Sequence, residues 1–145
     1  MPTECRVDFY VLAASAPSAG HLACRLCLKA WEEGHLVTVL ASGEDEARLL
    51  DELMWDFPAG RFLPHELGQV DGDVPVAILS GSELITTTRD VVVNLTSEPV
   101  PEPARFRRLL EIVPADKRMR EASRIKFRAY RNLGLEPHHH EMQTF

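Results

Sequence analysis

The sequence predicts an α/β fold, a three-layer sandwich around a largely parallel central sheet. Three observations carry this expectation. Short apolar runs rich in β-branched residues alternate with segments whose apolar residues recur at helical spacing. Gly, Pro and Asp punctuate the junctions between them. The 145 residues, 45% hydrophobic and 26% charged, suit one globular domain with a core of its own.

Val7 to Leu12 reads as the first strand. A loop of small residues, Ala13 to Gly20, leads into a helix from His21 to Glu33. Ser18 is placed to cap that helix, Leu22, Leu26 and Ala30 lie on its inner face, and Gly34 is placed to end it in a left-handed cap. Leu36 to Ala41 is a second buried strand. A helix opened by Ser42-Gly43-Glu44-Asp45 runs to about Trp55, with Leu49, Leu50 and Leu53 inward, until Phe57-Pro58-Ala59-Gly60 breaks it.

The middle is less regular. Arg61 to His65 suggests a short strand, Gly68 to Asp73 a polar turn, and Val76 to Leu79 and Val91 to Leu95 two further strands. Pro99, Pro101 and Pro103 form a stiff connector into a short helix from Glu102 to Leu110, with Glu111 to Val113 as a last edge strand. The final helix runs from Asp116 to Leu133 and stops at Gly134. The domain is expected to span residues 1–135, leaving 136–145 as a short polar tail that contains His138-His139-His140.

Charge is unevenly distributed. Residues 1–104 carry 6 basic and 17 acidic side chains, a net of −11, whereas residues 105–131 carry 10 basic and 3 acidic, a net of +7. The whole chain is at −6. One cationic face on an acidic body is a statement about partners, and it suits neither a DNA-coating protein nor a uniformly acidic enzyme. No apolar run approaches the ~18–20 residues of a membrane span. The start, Met1-Pro2-Thr3-Glu4-Cys5, lacks the basic-then-apolar pattern of a signal peptide, and three cysteines suit a reducing cytosol better than a disulfide framework.

Chemistry-bearing motifs are sparse. The loop before the first helix holds one glycine and lacks both G-x-G-x-x-G and G-x-x-x-x-G-K-[ST], so no nucleotide cofactor is expected. Cys24 and Cys27 form a C-x-x-C in the middle of a helix, where they read as buried small hydrophobes rather than a redox pair. His138 to His140 cannot all face one metal from a regular element, so no metal is expected. His65 has no nucleophile signature beside it.

The last helix is the informative segment. With Met119 at zero, Ala122, Ala129, Tyr130 and Leu133 fall within about 80° of it and form a core stripe. Arg120, Arg124, Phe127 and Arg131 fall at about 100°, 140°, 80° and 120° and form a second stripe on its flank. Like charges so crowded repel one another. The pattern therefore suits an anionic ligand: nucleic-acid phosphates with a base stacked on Phe127, or an acidic peptide ending in an apolar residue. A solvated basic face is the structural alternative. Trp55, Phe57 and Phe62 cluster around a breaker-rich loop, which suits either core packing or interface anchors.

An ordered set of segments resembles the chi subunit family of bacterial DNA polymerase III across nearly the whole chain. The set comprises Asp8-Phe9-Tyr10-Val11-Leu12, Ala30-Trp31-Glu32-Glu33-Gly34-His35, and Leu50-Asp51-Glu52-Leu53-Met54-Trp55 followed by Phe62-Leu63-Pro64-His65. It continues with Arg89 to Leu95, Val113-Pro114, and Arg128-Ala129-Tyr130-Arg131 before Gly134. The resemblance implies a Rossmann-like fold without a nucleotide site or catalysis of its own. It further implies a cytoplasmic protein that bridges the clamp loader, through the psi subunit, to the acidic C-terminal tail of single-stranded-DNA-binding protein, meeting DNA only indirectly. Carried onto this chain, the tail site is Val113, Arg120, Arg124 and Phe127, with Arg131 on the same stripe, and the psi-facing surface is Trp55, Phe57 and Phe62. Best-known relatives carry Lys and Tyr where this chain has Arg120 and Phe127. Arginine keeps the charge and adds a fork of donors, and phenylalanine lacks the hydroxyl.

Overall fold

The computed structural model describes residues 5–16, 18–56, 62–68, 74–85 and 89–143. The described residues form seven strands: β1 (Arg6–Leu12), β2 (Val37–Leu40), β3 (His65–Leu67), β4 (Val76–Leu79), β5 (Val91–Asn94), β6 (Arg108–Val113) and β7 (His138–Met142). Three helices accompany them: α1 (Ala19–Glu32), α2 (Glu44–Asp56) and α3 (Lys117–Asn132). The strands form one sheet in the order β3-β4-β2-β5-β6-β1-β7, and every pairing is parallel. The three-layer α/β sandwich expected from the sequence is the fold found.

Strand alternation builds two cores. Val37, Val39, Ile78, Val93, Leu110 and Ile112 face the side covered by α1 and α2, whose Leu22, Cys24, Cys27, Leu50 and Met54 pack onto them. Val7, Phe9, Leu40, Val92, Leu109 and Val113 face the other side, where Tyr130 of α3 joins Val100 and Phe106. Ser18 caps α1 by accepting a hydrogen bond from the His21 N–H, and Asp116 caps α3 through the Arg118 N–H. Gly34 and Gly134 take positive φ, +88° and +87°, at the turns that end α1 and α3. Burial pushes the Cys24 thiol up to about 12 and the Cys27 thiol well above its ordinary value, as inert core residues require.

Several expectations are corrected. Glu102–Leu110 is not a helix: a single 3₁₀ turn, Pro103–Arg105, precedes β6, and β6 lies between β5 and β1 rather than at an edge. Glu111 sits where alternation calls for an apolar residue, because a buried ion pair takes that place. β3 begins at His65, so Phe62 to Pro64 of the expected strand precede it, and the missing N–H of Pro64 suits no ladder interior; Arg61 lies outside the described residues. Leu49 is 65% exposed, because the inward stripe of α2 runs through Ala47, Leu50 and Met54 and turns Leu49 outward. Leu133, at the end of α3, is likewise 64% exposed. Gln69 to Asp73 of the expected turn lie outside the described residues, as does Phe57.

The expected polar tail contains β7. Its ladder to β1 pairs Tyr10 with His140 and Leu12 with Met142, and the Ala13 N–H donates to the Met142 carbonyl. Side chains reinforce the ladder. The fully buried Asp8 carboxylate receives Arg108 at 2.8 Å, Arg6 at 3.1 Å and the His140 imidazole at 2.8 Å, and that imidazole stacks on Tyr10. Burial alone raises the Asp8 pKa, yet hydrogen bonds from His140, Arg108 and Arg6 outweigh it and hold the group at about 2. Below the ordinary carboxylate range the unfolded chain takes up the proton that native Asp8 refuses. Asp8 therefore stabilises the fold fully above about pH 5, and this contribution, on the order of 1–2 kcal/mol, is lost as pH falls toward 2. Urea midpoints measured from pH 6 to pH 2 should converge for the wild type and Asp8→Asn; a constant gap would refute this reading.

Candidate partner-binding surfaces

α3 presents the stripe read from the sequence. Arg120, Arg124 and Arg131 are exposed on one flank, and Phe127 between them is half-buried, its ring 5.4 Å from that of Phe9. Arg120 is tethered, since its Nη2 donates to the Leu12 carbonyl at 3.2 Å, at the carboxyl end of β1. Among the described residues neither Arg124 nor Arg131 meets an acidic side chain in an ion pair, so two guanidiniums stand free beside an apolar ledge. Val113 joins Phe127 in the same core but is itself fully buried, so it shapes the ledge from beneath.

What fixes the angle of that stripe was not read from the sequence. Lys126 is fully buried and its Nζ donates to Glu111 Oε1 at 2.7 Å and to the Thr96 carbonyl at 2.9 Å. Tyr130, one turn on, donates its hydroxyl proton to Glu111 Oε2 at 2.6 Å and accepts the Val100 N–H at 2.8 Å. Asn94 Nδ2 donates to Glu111 Oε2 and to the Glu98 carbonyl, both at 2.9 Å. Burial pushes the Glu111 carboxyl up despite the opposing pull of Lys126, Tyr130 and Asn94. One side of α3 is thus pinned to β5, β6 and the 96–100 segment by directional bonds, which leaves the arginine flank facing outward. An acidic residue inside an apolar run, with a lysine at the core angle of the final helix, was the available signal.

The second surface lies on the opposite layer. Trp55 at the end of α2 and Phe62 are 60% and 58% exposed, with ring centroids 5.5 Å apart. The Trp55 ring also meets His65 edge-on at 5.0 Å. His65 is held from below: its Nδ1 faces the Leu63 carbonyl at 2.6 Å and its Nε2 the Asp51 carbonyl at 3.1 Å. Two large aromatics kept outward on a fixed base form an anchor pair of the kind found at protein interfaces. Phe57, expected beside them, lies outside the described residues.

Among the described residues no group of three His, Cys, Asp or Glu is placed to hold a metal ion, and no helix is long and apolar enough to cross a membrane. What the described residues present is two unpaired guanidiniums beside a phenyl ring on one face and an exposed aromatic pair on the other.

Residues 5–138 match the family model described as DNA polymerase III chi subunit, HolC. A DNA polymerase III subunit chi from Pseudomonas aeruginosa is 38% identical over 138 residues, which is 94% of this chain and 96% of the relative. That from Escherichia coli K12 is 28% identical over 79% of each chain. That from Haemophilus influenzae is 25% identical over 88% of this chain and 90% of its own. With the family model matching most of its length and a relative 38% identical across nearly all of it, the chain belongs to the chi subunit family of DNA polymerase III.

Proposed function

We propose that this chain is a non-catalytic adaptor in DNA replication, linking the clamp loader, through its psi subunit, to the acidic C-terminal tail of single-stranded-DNA-binding protein in the cytoplasm. The observation that carries the reading is the α3 stripe, with Arg124 and Arg131 unpaired beside a half-buried Phe127 in a chain whose net charge is −6. A carboxylate-terminated, acidic peptide complements it: the arginine fork takes carboxylate oxygens in pairs, and the Phe127 ledge takes a terminal aromatic ring. Arg120 adds a third charge at a fixed position, and Val113 backs the ledge. Trp55 and Phe62, with Phe57, form the loader-side contact. Because α2 and α3 cover opposite faces of the sheet, one partner need not displace the other.

Calorimetry with a peptide copying the tail tests the assignment. Removing the peptide's final Phe should weaken binding by about tenfold or more, because the ring and the correctly placed carboxylate leave together. An unchanged dissociation constant would refute carboxylate capture at this stripe. The same arginines also suit phosphates, so a gel shift with bare single strands is the discriminating control. Micromolar affinity for bare DNA at moderate salt would favour direct nucleic-acid binding, with the steep salt dependence of counterion release.

A further inference from the structure

In open α/β sheets, ligands bind beyond the carboxyl ends of the strands, where neighbouring strands lead to opposite faces. β2 and β5 are such neighbours here, since β2 leads into α2 while β5 leads to Val100 and Phe106 on the α3 side. The crevice at this point contains a groove of about 220 Å³ lined by Ala19, Gly20, Glu46, Leu49, Leu53 and Leu95 among others. Gly20 forms part of its wall, and a Cβ there would stand 3.1 Å from Leu53 Cδ2, so the glycine lets the start of α1 approach α2. Leu49 stands at the mouth, 65% exposed.

The walls are wrong for a phosphate and right for a hydrocarbon group. The rim adds a charge requirement. α2 carries six acidic side chains and a single basic one, Arg48, which lines a different cavity. Asp45, Glu52 and Asp56 lie four residues before and three and seven after Leu49, so they share its exposed strip. Glu46 lines the groove itself, with Oε1 accepting the Ser42 N–H at 2.7 Å. Trp55 lies about 120° round the helix from Leu49, so this mouth is a separate surface from the Trp55–Phe62 pair.

We propose that this groove seats one bulky aliphatic or aromatic side chain from a lysine- or arginine-rich segment of a partner protein, with Asp45, Glu46, Glu52 and Asp56 pairing the flanking cations. The volume admits a single leucine- or phenylalanine-sized group, and the acidic rim selects what surrounds it. The site depends on neither the α3 stripe nor the aromatic pair.

The probe is the end-blocked hexapeptide Lys-Lys-Leu-Phe-Lys-Lys, titrated into the ¹⁵N-labelled full chain. The expected result is saturable shifts centred on the amides of Ala19, Gly20, Leu49, Leu53 and Leu95. Leu49→Ser, which alters an exposed side chain and leaves the fold intact, should weaken the peptide about tenfold, as should replacing the peptide's Leu-Phe by Ala-Ala. The triple variant Asp45→Asn, Glu46→Gln, Glu52→Gln should weaken it by a similar factor, and the Glu-Glu-Leu-Phe-Glu-Glu peptide should not bind. Shifts confined to Trp55 and Phe62, or equal binding of the acidic peptide, would overturn the proposal. Sedimentation of the protein alone supplies the remaining arm: a dimer that Leu49→Ser abolishes would assign the groove to a second copy and overturn the basic-segment occupant.

Discussion

Replacing Lys126 by Met should destabilise the protein by about 3–5 kcal/mol, the loss expected when one partner of a buried ion pair is removed and the other remains. Glu111 would then be a fully buried carboxylate with only Tyr130 and Asn94 as donors. Against a typical stability of about 5–15 kcal/mol this is a large fraction, and it corresponds to a midpoint drop of roughly 10–20 °C. Burial already pushes the Glu111 carboxyl up, and without Lys126 it would rise further, so the variant's native state should take up a proton. A raised native pKa makes the penalty larger at pH 7 than at pH 5, because stability is lost as pH rises through it. The double variant Lys126→Met, Glu111→Gln removes both charges while its amide oxygen still accepts from Tyr130 and Asn94. It should recover about 2 kcal/mol of the loss. Urea unfolding of both variants checks this. A single variant within about 0.5 kcal/mol of the wild type would mean that the network contributes little.

The same network shows where local sequence stopped being informative. Val37–Leu40, Val76–Leu79 and Val91–Asn94 were legible because strands buried on both faces read as near-continuous apolar runs, broken here only by Thr38 and Asn94. α1 and α3 were legible because Ser18, Asp116, Gly34 and Gly134 mark their ends chemically. β6 was misread because Glu111 interrupts its alternation, and the residue that makes Glu111 tolerable is Lys126, 15 positions away. β7 was invisible for a related reason. An edge strand of three histidines, a glutamate and a methionine carries no apolar period; it is held by its ladder to β1 and by His140 on Asp8, 132 positions earlier. The surface residues fared differently. The angular grouping of Arg120, Arg124, Phe127 and Arg131 is a helix property, so it survived folding unchanged. The burial of Val113 was not legible in the same way, because whether a β-residue lies at a surface or beneath it depends on what packs above it.

That division, with charge buried at Lys126 and free at Arg124, sets up the sharpest test of the proposed adaptor role. Arg124 lies on the exposed flank of α3, one turn from both Arg120 and Phe127, and no described acidic residue pairs with it. Arg124→Ala should therefore leave stability within about 0.5 kcal/mol of the wild type. Its effect on an acidic, Phe-terminated peptide should be far larger. A guanidinium paired to a carboxylate contributes about 1.5–3 kcal/mol, so the dissociation constant should rise roughly 10- to 100-fold. Arg124→Lys should recover part of this, because lysine restores the charge but not the two-pronged geometry. Phe127→Ala differs in kind. The ring packs on Phe9, so that variant should lose both peptide affinity and some stability. Calorimetry at two salt concentrations completes the test: affinity should fall only modestly with salt, since few charges are involved and the contact is partly sheltered. Full binding by Arg124→Ala would remove this helix flank from the adaptor mechanism. Loss of binding with intact stability, set beside Lys126→Met with its opposite signature, would assign one face of α3 to the partner and the other to the fold.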